Sequence, residues 1–201
     1  MFCSQCGESA LPEAKFCATC GANLWPSVLP RADSPAKAIE PYFFATSTLK
    51  LILMSIFTFG IYELYWFYKN WIIIKNRTGE KMMPFWRAFF SPIWAYSFFK
   101  HINITLAEEQ MNKALPIGLL AISYFILQAL WRLPDPYWLI ASLSFIPLIQ
   151  VNNAAIEVNL KLSPDFDGNK KLSTANWAGI ILGGLLFVLA IIGTLTPENA
   201  S

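Results

Sequence analysis

The sequence predicts an α-helical integral membrane protein with a small four-cysteine head at its N-terminus. Hydrophobic residues make up 55% of the 201-residue chain and charged residues 14%, against about 45–50% and about 25% in ordinary soluble chains. The apolar excess falls in long blocks, as in a chain that faces lipid. All four cysteines instead precede the first of those blocks. The net charge of +2 is too small to point to a nucleic-acid partner, so the placement of the basic residues matters more than their sum.

The head comes first. Cys3, Cys6, Cys17 and Cys20 have the spacing C-x2-C-x10-C-x2-C, and each pair sits in a short repeat, Phe2-Cys3-Ser4-Gln5-Cys6-Gly7 and Phe16-Cys17-Ala18-Thr19-Cys20-Gly21. Two residues between thiolates allow a tight turn to aim both sulfurs at one ion, and the following glycine supplies the positive φ such turns tend to need. Two such turns together make a closed tetrahedral S4 site for one structural zinc ion. The alternative, two disulfides, fits poorly with a reducing cytosol and with metal-ligand spacing in both pairs. Residues 1–24 resemble the short zinc-ribbon family found at the N-termini of many prokaryotic membrane proteins. Phe2, Leu11, Phe16 and Leu24 are too few to form a core, so folding of the head should depend on the metal. Its other ionisable side chains are Lys15, Glu8 and Glu13. A head this poor in cations should not grip phosphates, so nucleic acid is not expected. A protein partner suits it better.

Residues 25–47 form a proline-rich linker, with prolines at 26, 30, 35 and 41, expected to act as a semi-rigid spacer. The opening Met1-Phe2-Cys3 lacks the basic and apolar regions of a cleavable signal. An internal apolar segment is therefore expected to direct membrane insertion.

Two membrane regions follow, 48–113 and 114–197. In the second, residues 115–133, 136–151 (running on to about 161) and 175–195 each approach the roughly 20 residues needed to cross a hydrocarbon core. Pro134-Asp135-Pro136 is the expected turn between the first two. Trp131, Tyr137, Trp138 and Trp177 stand at the segment ends, where aromatic belts form. In the first region, residues 48–74 are long enough to cross but carry a candidate break at Thr58-Phe59-Gly60. Residues 84–100 offer only a short apolar stretch between Arg87 and Lys100, interrupted by Pro92.

Two arrangements fit the first region. If both blocks cross, Lys69, Lys75, Arg77, Lys81 and Arg87 face outside with Glu80 alone to offset them, against the positive-inside tendency. If the blocks are re-entrant or interfacial, these cations stay in the cytosol and only Arg132 lies near the outer face. Charge placement favours the re-entrant arrangement. Both put the N-terminus in the cytosol and the C-terminus outside, in a multi-pass protein of a bacterial inner membrane.

Within this region, Ser55-Ile56-Phe57-Thr58-Phe59-Gly60-Ile61-Tyr62 followed by Tyr65-Trp66-Phe67-Tyr68-Lys69 resembles a family of small bacterial membrane domains of undefined function, with a T-x-G-I-Y…Y-W-x-Y core. The resemblance spans about residues 45–110 and implies a topology class rather than an activity. Tyr62, Tyr65, Trp66, Tyr68 and Trp71 are expected to form an interfacial aromatic face.

Polar groups beside a membrane are where function is sought first. Glu63 could gate an ion or relay a proton within the membrane, although an interfacial place near Lys69 is the simpler expectation. Gln150, Asn153, Glu157 and Lys161 recur at helical steps on one face, flanked by Asn152 and Asn159. His101, Asn103, Glu108 and Glu109 could lie opposite. The candidate membrane polar site thus comprises Glu63, His101, Gln150, Asn153 and Glu157, with solvation or packing as the plainer role. A single histidine excludes a multi-histidine metal site, and no catalytic motif is recognised. Residues 163–171 lack the final glutamate of an EF-hand loop and read as a cytosolic turn. The function expected is a membrane-anchored adaptor or regulatory protein whose ribbon binds a protein partner. A channel or transporter component is the alternative, and a membrane enzyme is a weaker one.

Overall fold

The structure is a computed structural model that describes residues 9, 18–20, 41–163 and 165–195. The chain divides into two units, Met1–Ala38 and Ile39–Ser201. In the first unit residues 18–20 form an exposed turn. Cys3, Cys6, Cys17 and residues 25–40 of the linker lie outside the described residues.

In the second unit the described residues form helices and no strand. The first helix, α1 (Thr48–Phe57), opens where Ser47 Oγ accepts from Lys50 N at 3.4 Å. It ends at the break read from Thr58-Phe59-Gly60. Thr58 Oγ1 donates to the Met54 carbonyl and accepts from Tyr62 N, joining the two helices through one hydroxyl. Phe59 and Gly60 then take left-handed conformations, with φ of 51° and 80°, and reverse the chain into α2 (Ile61–Thr78). Gly79, at φ 70°, closes α2 by donating to the Lys75 carbonyl, the usual left-handed stop.

After a short loop, α3 (Pro84–Phe89) and α4 (Ser91–Glu108) are separated only by Phe90. Pro84 and Pro92 sit in first turns, where a missing N–H costs nothing, so Pro92 starts a helix rather than breaking one. Next, α5 (Ile117–Ala129) runs into a 3-10 turn over Leu130–Arg132. The chain turns at Pro134-Asp135-Pro136 as expected and enters a 3-10 segment over Tyr137–Leu143, followed by α6 (Phe145–Leu162). Regular α-helix begins later than residue 136 because Pro147 has no N–H to give Leu143, which confines it to a first turn. Last comes α7 (Thr174–Leu195).

Two stretches, Tyr137–Leu162 and Thr174–Thr194, are long and apolar enough to cross a membrane. The third predicted segment is the shorter apolar stretch Ile117–Arg132. Most of α7 is uncovered, and Ile181, Leu182 and Leu185 are each about 60–70% exposed. So many bare aliphatic side chains suit lipid rather than water.

Contacts arrange the helices with their ends in register. At one end, Thr48 donates to Asn153, Arg77 donates to the Tyr42 carbonyl, Asn103 accepts from Leu115 N, and Lys161 pairs with Glu109. At the other end, Phe59 packs edge-on against Trp131 and Ser91 bonds to Tyr124. The pairs α1/α2 and α3/α4 are therefore hairpins, each leaving and returning at one end. Ten residues make α1 about 15 Å long.

The aromatic face predicted on α2 is divided. Trp66 and Trp71 are fully buried and Tyr62 nearly so, whereas Tyr65 and Tyr68 are exposed. Trp66 packs against Phe98 of α4 and donates to Asn152 of α6, and Trp71 packs against Phe98 and His101 of α4. Trp66 meets Phe98 edge-on at 5.2 Å between centroids, with Phe67 at 5.5 Å from the same ring, the geometry that aromatic quadrupoles favour. This cluster is core, not belt.

Candidate functional site

Three places could carry function: the cysteine head, the ends of α2 and α6 around Glu63, and the entry of the chain into the helical unit.

In the head, the described turn over residues 18–20 spans the spacer of the second cysteine pair and brings in Cys20, which is exposed. A reversal there is what C-x2-C ligation needs. The donor set, four thiolates in two such pairs, fits zinc and leaves no position for a substrate.

Glu63 lies near the start of α2 and is fully buried. The predicted interfacial place near Lys69 is not found: Lys69 sits over the Tyr65 ring, 5.7 Å from its centroid. Instead, Ser144 Oγ donates to Glu63 Oε1 at 2.8 Å, and Gln128 Nε2 donates to Oε2 at 2.9 Å. Gln128 Nε2 also reaches Tyr124 OH at 3.4 Å, and that phenol bonds to Ser91 Oγ at 3.2 Å. Neither ion pair among the described residues includes Glu63. The carboxylate is thus held by neutral groups from the end of α5 and the start of α6.

The other predicted residues are elsewhere. His101 is half-buried and meets Trp71 edge-on at 5.9 Å. Asn153 accepts from Thr48, Gln150 is exposed, and Glu157 pairs with Lys113. Ser144 and Glu157 lie about 20 Å apart along α6, so the Glu63 cluster and the Glu157 face are separate places. Among the described residues no three of His, Cys, Asp and Glu come together as a metal site. The Lys113–Glu157 pair is exposed on both sides, where such pairs contribute about 1 kcal/mol or less. Glu157→Gln should therefore leave the thermal midpoint of the purified protein nearly unchanged.

Residues 41–47 were expected to continue the spacer. They are instead packed, and three fully buried asparagines hold them. Asn159 Oδ1 accepts from Phe43 N at 2.9 Å while its Nδ2 donates to the Phe43 carbonyl at 2.7 Å. Asn70 does the same for Phe44, at 3.0 and 2.9 Å, and Asn152 for Thr46, at 3.1 and 2.6 Å. Each carboxamide thus imitates the neighbouring strand that an extended peptide would otherwise need. Arg77 adds a fourth grip, its guanidinium 3.6 Å from the centre of the Tyr42 ring. Sequence reasoning placed Asn152 and Asn159 only as flanks of the Gln150–Glu157 face and did not single out Asn70. A signal was present: Asn152 and Asn159 are seven residues apart among Leu148, Val151, Ala155 and Val158, and a polar residue on an apolar stripe must find a partner.

Residues 2–24 match the family model of a zinc-ribbon domain, which implies zinc binding by the head. Neither the curated proteins nor the solved structures contain a match to this chain.

Proposed function

We propose that the protein is a membrane-anchored adaptor or regulatory protein whose cytosolic zinc ribbon binds a protein partner. The observation that carries this reading is the asparagine clamp. It grips the chain at the end of the linker, at Phe43, Phe44 and Thr46. A load on a tethered head then pulls on buried backbone hydrogen bonds spread over two helices, instead of peeling a frayed terminus. Cys3, Cys6, Cys17 and Cys20 hold one zinc ion, which stabilises the fold of the head and has no catalytic part.

The helical unit is read as three crossings with two re-entrant hairpins. The reversal at Thr58-Phe59-Gly60 brings the end of α2 back beside the start of α1, with Arg77 on the Tyr42 carbonyl, which supports a re-entrant α1/α2. The α3/α4 hairpin follows the same course. Helix α5, the Tyr137–Leu162 stretch and α7 then make the crossings. This leaves the basic residues near the ends of α2 and α6 in the cytosol and the C-terminus outside. The bacterial inner membrane and the likeness of residues 45–110 to a small membrane-domain family belong to the same reading. Burial of Glu63 lends some support to a channel or transporter component, but the Gln150–Glu157 face does not continue a path from it. For an enzyme there is less, because no hydrogen bond joins His101 to Glu108 or Glu157.

The test is crosslinking in living cells, comparing the intact chain with a Cys17→Ser/Cys20→Ser variant at matched membrane levels. Proteins captured by the intact chain should be lost from the variant, and purified protein should fall from about one zinc per chain to nearly none. The same set of captured proteins from both chains would overturn the adaptor reading.

A further inference from the structure

Beside the buried carboxylate is a cavity of about 210 Å³, lined by Phe59, Gly60, Gln128, Trp131, Ser142 and Ser144 among others. Its chemistry follows from where the lining groups spend their protons. Ser144 gives its hydroxyl proton to Glu63, and Ser142 gives its own to the Leu139 carbonyl at 2.6 Å. The Gln128 amide is turned with its nitrogen to Glu63 and Tyr124. Gln128, Ser142 and Ser144 therefore have committed donors and retain acceptor lone pairs.

Behind that wall is a carboxyl group that takes part in neither ion pair among the described residues, with the buried Ser55 hydroxyl beside it. Phe59 and Trp131 supply aromatic rings 6.5 Å apart and nearly perpendicular. Phe59 is held at φ 51°, an uncommon state for a bulky residue, and the turn that holds it there also places it on the cavity wall. Helix ends do not set the sign of the site, because α1 and α5 finish near it while α2 and α6 begin there. The carboxylate does.

Acceptor lone pairs, a buried carboxyl group behind them and aromatic rings together fit a cation that carries N–H groups. We infer that this cavity binds a primary ammonium group of ethanolamine type, with Gln128, Ser142 and Ser144 accepting its protons and Trp131 covering it. The group could come from a phospholipid headgroup or from a free amine. The inference is independent of the ribbon and its partner.

The test uses the full chain in phosphatidylglycerol vesicles, with the thermal midpoint followed as ethanolamine is added. A saturable rise is expected, and about tenfold more ethanolamine should be needed in Glu63→Gln. Trp131→Leu should also require more. Trp131 is about half exposed, so this variant keeps the test decisive if Glu63→Gln folds poorly. Vesicles that include phosphatidylethanolamine distinguish the sources. A midpoint already raised there, and no longer sensitive to ethanolamine, assigns the site to the lipid headgroup; continued sensitivity assigns it to the free amine. The inference fails if neither amine acts, if both variants respond as the wild type does, or if ethylene glycol or sodium chloride raises the midpoint equally.

Discussion

Replacing Gly183 with alanine should detach α7 from the rest of the helical unit. A Cβ built at Gly183 would lie 1.6 Å from the Phe57 carbonyl oxygen and 2.7 Å from its carbon. Those are backbone atoms at the end of α1, and no rotamer change can move them aside. Gly179, one turn earlier, faces Met54 and Thr58, so the two glycines form the close-approach stripe by which membrane helices pack without a hydrophobic drive. Because most of α7 is otherwise uncovered, this stripe is its main attachment. Overpacking in a core usually costs about 1–3 kcal/mol; a backbone clash of this depth should reach the top of that range or release the helix.

A graded series makes the prediction specific. Gly193→Ala meets no described atom within 4 Å and should be neutral or slightly stabilising through helix propensity. Gly184→Ala meets the Phe57 ring at 3.5 Å, ordinary contact, and should have a small effect. Gly183→Ala should lower the thermal midpoint in detergent and speed proteolysis within residues 163–173, and Gly183→Val should do more. Equal behaviour of the alanine variants at 183 and 193 would show that α7 is not held at this contact.

Asn152→Leu should destabilise the helical unit by about 3–5 kcal/mol. The estimate rests on three orphaned groups: the Thr46 N–H, the Thr46 carbonyl and the Trp66 indole N–H, which also bonds to Asn152 Oδ1 at 3.3 Å. Each buried polar group left unpaired costs about 1–3 kcal/mol, reduced where local relaxation admits water. Leucine has the same number and branching of heavy atoms as asparagine, so the loss is chiefly in hydrogen bonding. Asn159→Leu orphans two groups on Phe43 and should cost somewhat less. Asn153→Leu, on the adjacent partly exposed position, removes one bond to the Thr48 hydroxyl and should have the smallest effect. Denaturation of purified protein in mild detergent checks the order 152, 159, 153. A loss at 153 as large as that at 152 would mean that the clamp is not what secures residues 43–46.

Much of the architecture was legible because its causes are local. Apolar blocks end at prolines and charges, so the turn at Pro134-Asp135-Pro136 and the reversal at Thr58-Phe59-Gly60 could be read from residue type. The cysteine spacing likewise identified the head, since a two-residue spacer constrains its own turn. The site around Glu63 was legible only in part. Burial of a carboxylate depends on Ser144 and Gln128, which are 81 and 65 residues away, and nothing within α2 announces them. Residues 62, 66 and 71 looked like a belt because aromatic residues suit both an interface and a core. Only the packing of α4 and α6 against Trp66 and Trp71 decides which.

By itself the sequence determined the helical class with its long apolar stretches, the zinc-ribbon head and the positions of the main breaks, because periodicity, ligand spacing and missing N–H groups act within a few residues. The tertiary structure decided that the linker's end is clamped, that α7 is held by the backbone of α1, and that Glu63 backs a cavity. Those features depend on hydrogen bonds and contacts between groups distant in the chain. A buried donor or acceptor shows its need for a partner in the sequence, but only the fold supplies the partner's identity.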